Sequence, residues 1–221
     1  MAQTKTRPET SRQTRERATV RTLLERHGQT YAEQAGITLR DTPSPLYRLL
    51  VLSHLLSARI RADIAAASAR ALSDAGMKDA RRMAEATWQQ RVDALGVGGY
   101  RRYDERTATQ LGEGAELLLR EYRGDLRRLR DDPRPAERLR EVPGIGPTGV
   151  DIFLREVQEV WPEFRPYFDK KAQDGAERLG LPRSPEKLSA LIARRDSARL
   201  AAALVRAALD KKVVDDVLGG E

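Results

Sequence analysis

The 221-residue sequence predicts an all-α fold of roughly ten or more short helices. Apolar residues recur along most of the chain at the three- and four-residue spacing of amphipathic helices. The alternation of apolar and polar residues that would indicate strands never continues for more than a few residues. Glycines, prolines and capping residues interrupt the helical segments at short intervals, and no internal repeat is present.

The N-terminal part of the chain is expected to contain a tail, one helix and a break. Residues 1–11 are polar, contain Pro8 and lack periodicity, so we expect a disordered basic tail. A first helix is expected over 12–34, where apolar residues fall on one face. The segment 41–45 contains two prolines. We interpret this break as a crossing between two lobes.

The rest of the chain alternates between helical patterns and short breaks. Helices are expected over 46–57, 64–75, 78–86, 88–95, 101–122, 124–130, 135–140, 147–160, 169–179, 184–193 and 197–218. Thr87 is a predicted N-cap, and Pro147 is a predicted first helical residue. We expect one lobe to comprise 12–43 and 161–221, and the other to comprise 44–160.

Charge and composition exclude several classes of protein. The chain has 40 Lys and Arg residues against 33 Asp and Glu residues, a net charge of +7, which is a weak indication of nucleic-acid binding. No long apolar run or secretory signal is present, so we expect a cytoplasmic protein. With no cysteine and two histidines, the chemistry is expected to come from carboxylates, hydroxyls, Lys or Arg.

The most informative segment is a turn between two predicted helices. Its sequence is Val142-Pro143-Gly144-Ile145-Gly146-Pro147-Thr148-Gly149. Glycines on both sides of one apolar residue permit a tight hairpin, and the free amides of the following helix can bind a phosphate. An ordinary glycine-rich turn between helices is the alternative interpretation.

This turn resembles the helix-hairpin-helix motif, whose usual core is Pro-Gly-Ile-Gly and which would extend over about 136–158. The resemblance implies contacts with the DNA backbone that do not read bases. The implied DNA-binding residues are Gly144, Ile145, Gly146, Thr148 and Gly149. In some members the hairpin carbonyls hold a monovalent cation, and the matching carbonyls here belong to Arg140, Val142 and Ile145.

A single aspartate follows the hairpin helix, in the sequence Phe168-Asp169-Lys170-Lys171. Together with the hairpin and the run Leu-Leu-Ser-Ala-Arg at 55–59, it resembles the helix-hairpin-helix (HhH-GPD) DNA glycosylase superfamily, which includes endonuclease III. The resemblance implies a two-lobed, endonuclease III-like helical fold with a catalytic aspartate at the mouth of a cleft. Taken by itself, Asp169 is more typical of an N-cap than of a catalyst.

The family also suggests roles for other positions. Members that nick DNA carry a lysine where this chain has Thr148, which predicts a monofunctional enzyme unless Lys170 or Lys171 replaces that amine. Arg59 matches the family's void-filling glutamine, although a solvated helix-end cation is the alternative. The loop from Val97 to Tyr100 matches the intercalating wedge.

The aromatic and basic residues after that loop have two interpretations. Tyr100 and Arg101 are predicted to contact DNA, or to cover the helix that follows. We therefore expect a monomeric, nucleoid-associated glycosylase of base excision repair that acts on double-stranded DNA. We expect no cofactor other than a possible structural Na⁺ or K⁺. The alternatives are a non-catalytic DNA-binding protein and an abasic-site lyase; the base that is removed stays open.

Overall fold

A computed structural model describes residues 11–219, and every regular element in this range is helical, which confirms the all-α prediction. The α-helices are α1 (Ser11–His27), α2 (Tyr31–Gln34), α3 (Pro43–Ser57), α4 (Ala62–Asp74), α5 (Ala80–Glu85), α6 (Trp88–Val97), α7 (Asp104–Tyr122), α8 (Leu126–Arg130), α9 (Pro135–Glu141), α10 (Pro147–Val157), α11 (Lys170–Arg178), α12 (Pro185–Ser189), α13 (Ser197–Leu209) and α14 (Lys211–Leu218). Short 3₁₀ turns occupy Pro162–Phe164 and Arg194–Asp196. The predicted tail lies outside the described residues except for Ser11, where α1 begins.

Two predicted helices are each divided by a capping residue. Thr30 caps α2 by accepting from the Glu33 amide at 3.1 Å, and the Glu33 carboxylate accepts from the Thr30 amide at 2.8 Å. Asp210 likewise caps α14 by accepting from the Lys212 amide at 2.9 Å. Asp210 thus separates α13 from α14 directly, whereas Thr30 begins α2 after α1 has ended at His27.

The chain divides into two compact units. One comprises Thr30–Arg165, and the other comprises 11–29 and 166–219 of the described residues. The sequence predicts lobe boundaries between residues 43 and 44 and between residues 160 and 161 instead. The structure therefore places the segments 30–43 and 161–165 with the longer unit.

Two polar contacts explain where the longer unit begins and ends. The buried carboxylate of Glu156 accepts from the amides of Tyr31 and Ala32, at 3.2 and 2.8 Å, and so satisfies the first turn of α2. Trp161 is fully buried, and its indole nitrogen donates to Asp41 at 2.8 Å. Both contacts attach the ends of the unit to its core.

Apolar packing around α3 and α7 organises the longer unit. Helix α3 is buried along most of its length and packs against α4 and α10, whereas α7 packs against α5 and α6. The buried Arg91 donates to the carbonyls of Met83 and Ala86 at 3.0 and 2.7 Å, which satisfies the end of α5. Gly112 gives this guanidinium room, since a β-carbon there would lie 2.7 Å from it.

The second unit is built around the buried helix α13. Helices α1, α11 and α14 pack against it. Gly175 permits the approach of α11, because a β-carbon there would overlap the Leu204 carbonyl. Arg199 and Arg206 donate to the carbonyls of Gly28 and His27, at 3.2 and 3.1 Å, beyond and at the end of α1. None of the helices in the described part of the chain is long and apolar enough to cross a bilayer.

Candidate functional site

The predicted hairpin is a tight turn between α9 and α10. Val142 and Ile145 are buried, and the Ile145 amide donates to the Val142 carbonyl at 2.9 Å. Gly144 has a φ of +82°, a left-handed conformation that favours glycine. Pro147 occupies the first helical turn, where its missing amide hydrogen leaves no bond unmade.

The outer side of the hairpin is open to solvent. Gly146, Pro147 and Thr148 are exposed, and a β-carbon on Gly146 would have no atom within 4 Å. The first amides of a helix have no partner inside the helix, and the helix dipole is positive at this end. An anion such as a phosphate can therefore approach the start of α10 closely.

The other hairpin residues shape the turn from inside. Gly149 is buried, and a β-carbon there would lie 3.4 Å from Ile145 Cγ2 and 3.8 Å from the Ser53 carbonyl. A β-carbon at Gly149 would thus make only ordinary van der Waals contacts, and it is Thr148 that faces solvent. The Val142 carbonyl accepts one hydrogen bond and keeps a lone pair. Cation binding at Arg140, Val142 and Ile145 stays a prediction.

Two polar side chains, the buried His54 and the half-buried Gln110, support the hairpin from behind, and the sequence analysis missed them. Gly144 lies against the imidazole of His54 on α3 and close to Gln110 on α7. His54 is 7% exposed. Burial lowers its pKa to about 4; a hydrogen bond with Gln110 opposes this lowering, and the charge of Arg106 adds to it. A histidine within an apolar helix gives no sequence signal for such a contact.

The predicted void-filling residue lies just beyond the end of α3. Helix α3 ends at Ser57, Ala58 is its C-cap, and Arg59 is exposed. No hydrogen bond or ion pair ties the Arg59 side chain to the described residues. Its guanidinium is therefore directed to solvent. Both interpretations, a void-filling residue and a solvated helix-end cation, require this orientation.

The predicted wedge loop presents Val97 and not Tyr100. Val97, the last residue of α6, is 82% exposed. Gly98 lies against Ser68, where a β-carbon would overlap that residue, so the loop is held close to α4. Tyr100 is 1% exposed, and its hydroxyl accepts from Thr107 at 3.2 Å. The ring of Tyr100 therefore lies in the core against α7, which agrees with the second of its two interpretations, whereas Arg101 is exposed.

Asp169 is the N-cap of α11. Its carboxylate accepts from the Ala172 amide at 3.2 Å, and the side chain is half-buried between buried Phe168 and exposed Lys170. The Lys170 amine lies 3.1 Å from the Asp174 carboxylate on its own helix, and Lys171 is exposed. The structure thus supports the capping role of Asp169 directly.

The whole fold is similar to solved structures of endonuclease III with DNA. One is a trapped covalent intermediate in an estranged-adenine complex, with a TM-score of 0.53 and 15% identity over 88% of this chain and 84% of that chain. Another is a non-covalent complex, with a TM-score of 0.55 and 14% identity over the same shares. This chain has the endonuclease III fold. No protein-family model and no curated protein matches the sequence.

The endonuclease III fold is built here without cysteine. The sequence contains no cysteine and therefore offers no thiolate ligand for an iron–sulfur cluster. The described residues also contain no group of three or more His, Asp or Glu side chains placed to hold a metal ion. The segment 184–218 contains α12, α13 and α14.

Proposed function

We propose that this protein is a DNA N-glycosylase of base excision repair, acting as a cytoplasmic monomer on double-stranded DNA. The observation that carries the proposal is the single carboxylate of Asp169, fixed as the cap of α11 in a chain with the endonuclease III fold. The base removed is damaged, mismatched or modified. The exposed hairpin supports the DNA-binding part of the proposal, and Asp169 supports the chemical part.

The hairpin binds a backbone phosphate of the duplex. The exposed start of α10 offers amides, a favourable dipole and no side chain on Gly146 to block approach. Contacts to phosphate position a protein without reading sequence. This suits an enzyme that searches duplex DNA for rare bases, and it predicts affinity that falls steeply with salt.

Base release requires that the target nucleotide leave the stack. Val97 is exposed and apolar, and it immediately precedes Gly98, which packs against α4, so Val97 can fill the space left in the duplex. Arg59 is exposed and can occupy the same region of the duplex or bind its backbone. We assign the role of the wedge to Val97, and we assign Tyr100 a role in core packing.

Asp169 acts on the sugar of the flipped nucleotide. As the bond between the sugar carbon and the base nitrogen breaks, its electron pair leaves with the base and positive charge develops on the sugar. A fixed carboxylate stabilises that charge more in the transition state than in the ground state. Water then attacks the sugar carbon, and Asp169 orients this water or accepts its proton. The products are the free base and an abasic site.

The chain lacks an amine at the family's lysine position, where Thr148 is exposed. A hydroxyl cannot form a Schiff base with the sugar, so the enzyme is monofunctional. Lys170 pairs with Asp174 on its own helix and therefore gives no specific support to a lyase mechanism.

Two substitutions of Asp169 separate the chemical role from the capping role. Asparagine caps helices about as well as aspartate, whereas alanine loses about 1 kcal/mol. Asp169→Asn should therefore remain as stable as wild type, and Asp169→Ala should be less stable. Both should lose base release by on the order of 100-fold or more, because both remove the charge.

The assay is chromatographic detection of free base from duplexes carrying alkylated, oxidised, mismatched or modified bases. Duplex affinity is measured in parallel and should be unchanged in Asp169→Asn. Equal base release by wild type and Asp169→Asn would overturn the catalytic role of Asp169. Duplex binding by a wild-type protein that releases none of these bases would instead identify a non-catalytic DNA-binding protein.

A further inference from the structure

Arg106 is a cation in a place where helix stability does not favour one. It is the third residue of α7 and is exposed. A positive side chain in the first turn opposes the helix dipole, which favours acidic residues such as Asp104 and Glu105. No carboxylate among the described residues forms an ion pair with Arg106. Its position therefore points to a ligand outside the chain.

The residue one helical turn after Arg106 on α7 lies close to the hairpin. Gln110 follows on the same face of α7, since residues four apart are neighbours on a helix. The Gln110 side-chain oxygen is 3.0 Å from the position of a β-carbon on Gly144. The charge of Arg106 also acts on His54, which lies against Gly144. Arg106 is thus beside the part of the hairpin that holds the turn in place.

We propose that Arg106 binds a second backbone phosphate of duplex DNA, next to the phosphate held by the hairpin. The DNA-binding surface then continues from Gly146 and Thr148 onto the first two turns of α7. This inference rests on the proposed function, since it names a further contact with the same duplex. The ligand is the phosphate backbone, and no base contact is implied.

The chemistry of the arginine side chain fits this assignment. A guanidinium binds phosphate through two parallel hydrogen bonds, which makes arginine well suited to this contact. Burial lowers the pKa of His54 and keeps its imidazole uncharged at neutral pH. His54 therefore does not compete with Arg106 for the phosphate.

Arg106→Ala is compared with a matched control, Arg81→Ala. Arg81 is also exposed and forms no ion pair within the described residues, but it belongs to α5. Helix α5 lies near the opposite end of α7, because a β-carbon on Gly124 would be 3.6 Å from Ala80. Along α7, the rise from Arg106 to the last residue, Tyr122, is roughly 24 Å.

The measurement is the affinity for an undamaged duplex over a salt series, by fluorescence anisotropy. Arg106→Ala should weaken binding by about tenfold at low salt and reduce the slope of log affinity against log salt by about 0.9. Arg106→Lys should keep the slope, because it keeps the charge. Arg81→Ala should match wild type in both respects.

A further variant, Gly146→Asp, tests the hairpin itself. Aspartate is a good N-cap, so α10 should form, while its charge repels the hairpin phosphate. If Gly146→Asp loses affinity and Arg106→Ala keeps the wild-type salt slope, the assignment of Arg106 is overturned and the proposed function stands. If wild type does not bind duplex DNA, the proposed function itself fails.

A structural role for Arg106 predicts a different result. Removing a cation from the first turn of α7 should leave the urea unfolding midpoint equal to or above that of wild type. A lowered midpoint with an unchanged salt slope would show that Arg106 supports the fold and not the DNA contact.

Discussion

Gly144 at the tip of the hairpin lies directly against the imidazole ring of His54. A β-carbon on Gly144 would overlap His54 Cε1 and Nε2, and the φ of +82° is strained for L-residues. Gly146 has a φ of −86° and open space around its Cα. The two glycines of one motif therefore serve different needs: Gly144 permits the fold of the turn, and Gly146 permits the approach of a ligand.

Substitution of each glycine by alanine should distinguish these two roles. Gly144→Ala is expected to lower the free energy of unfolding by about 2 kcal/mol or more, since left-handed strain alone costs about 1–2 kcal/mol. Gly146→Ala should change it by less than about 0.5 kcal/mol. Urea denaturation of both variants measures the difference. Equal destabilisation by the two would contradict the role assigned to the contact with His54.

His54 should make the stability of the protein depend on pH. Burial lowers its pKa to about 4, whereas the ordinary value is 6.5. Between these pH values the unfolded chain binds a proton that the folded chain does not, so acidification favours unfolding. The contribution of neutral His54 is complete above about pH 6.5 and is lost as the pH falls toward about 4, by ~3 kcal/mol in total.

The variant His54→Gln provides the comparison, since it removes this titration and leaves the other titrating groups in place. Urea unfolding at several pH values from 7.5 to about 4.5 gives the difference between wild type and variant. Wild type should lose more unfolding free energy than His54→Gln over this range. Parallel pH profiles for the two proteins would show that His54 does not titrate abnormally.

Local signals explain what the sequence could predict of the site. Gly144, Gly146 and Pro147 indicate a turn and a helix start through backbone preferences that act within a few residues. Asp169 indicates a helix N-terminus in the same way. The structure confirms Pro147 in the first turn of α10 and Asp169 as the cap of α11.

Contacts between distant residues could not be predicted. His54 and Gln110 meet Gly144 only through the packing of α3 and α7, and neither carries a local signal of that contact. Tyr100 follows an exposed glycine loop, yet its ring lies in the core beside Thr107. A loop composition rich in glycine indicates a turn and does not say which way the next side chain points.

The hydroxyl of Thr148 predicts how the enzyme behaves in a test for a Schiff-base adduct. With an exposed hydroxyl where nicking relatives carry an amine, wild type should give no covalent adduct when borohydride is added during reaction with a substrate duplex. The measurement is the mobility of the labelled DNA on a denaturing gel. A strong adduct that disappears in Lys170→Ala or Lys171→Ala would identify that residue as the nucleophile and make the protein a lyase.

Val97 and Tyr100 should give opposite results when each is changed. Val97 is 82% exposed, so Val97→Ser should leave the unfolding free energy within about 0.5 kcal/mol of wild type. Because Val97 is the proposed wedge, Val97→Ser should lower base release from a fully paired duplex by on the order of tenfold. The loss should be smaller on a single strand, which has no base stack with a space to be filled. Tyr100→Phe loses the hydrogen bond with Thr107, at a cost of about 1 kcal/mol.

Because Tyr100 is buried, Tyr100→Phe should leave duplex affinity and base release unchanged. Single-turnover release from matched paired and single-stranded substrates, with urea unfolding of the same preparations, tests both residues together. An equal loss on both substrates in Val97→Ser would remove Val97 from the wedge. Weaker duplex binding by Tyr100→Phe would show that the ring leaves the core when DNA binds, since only an exposed hydroxyl can reach the duplex.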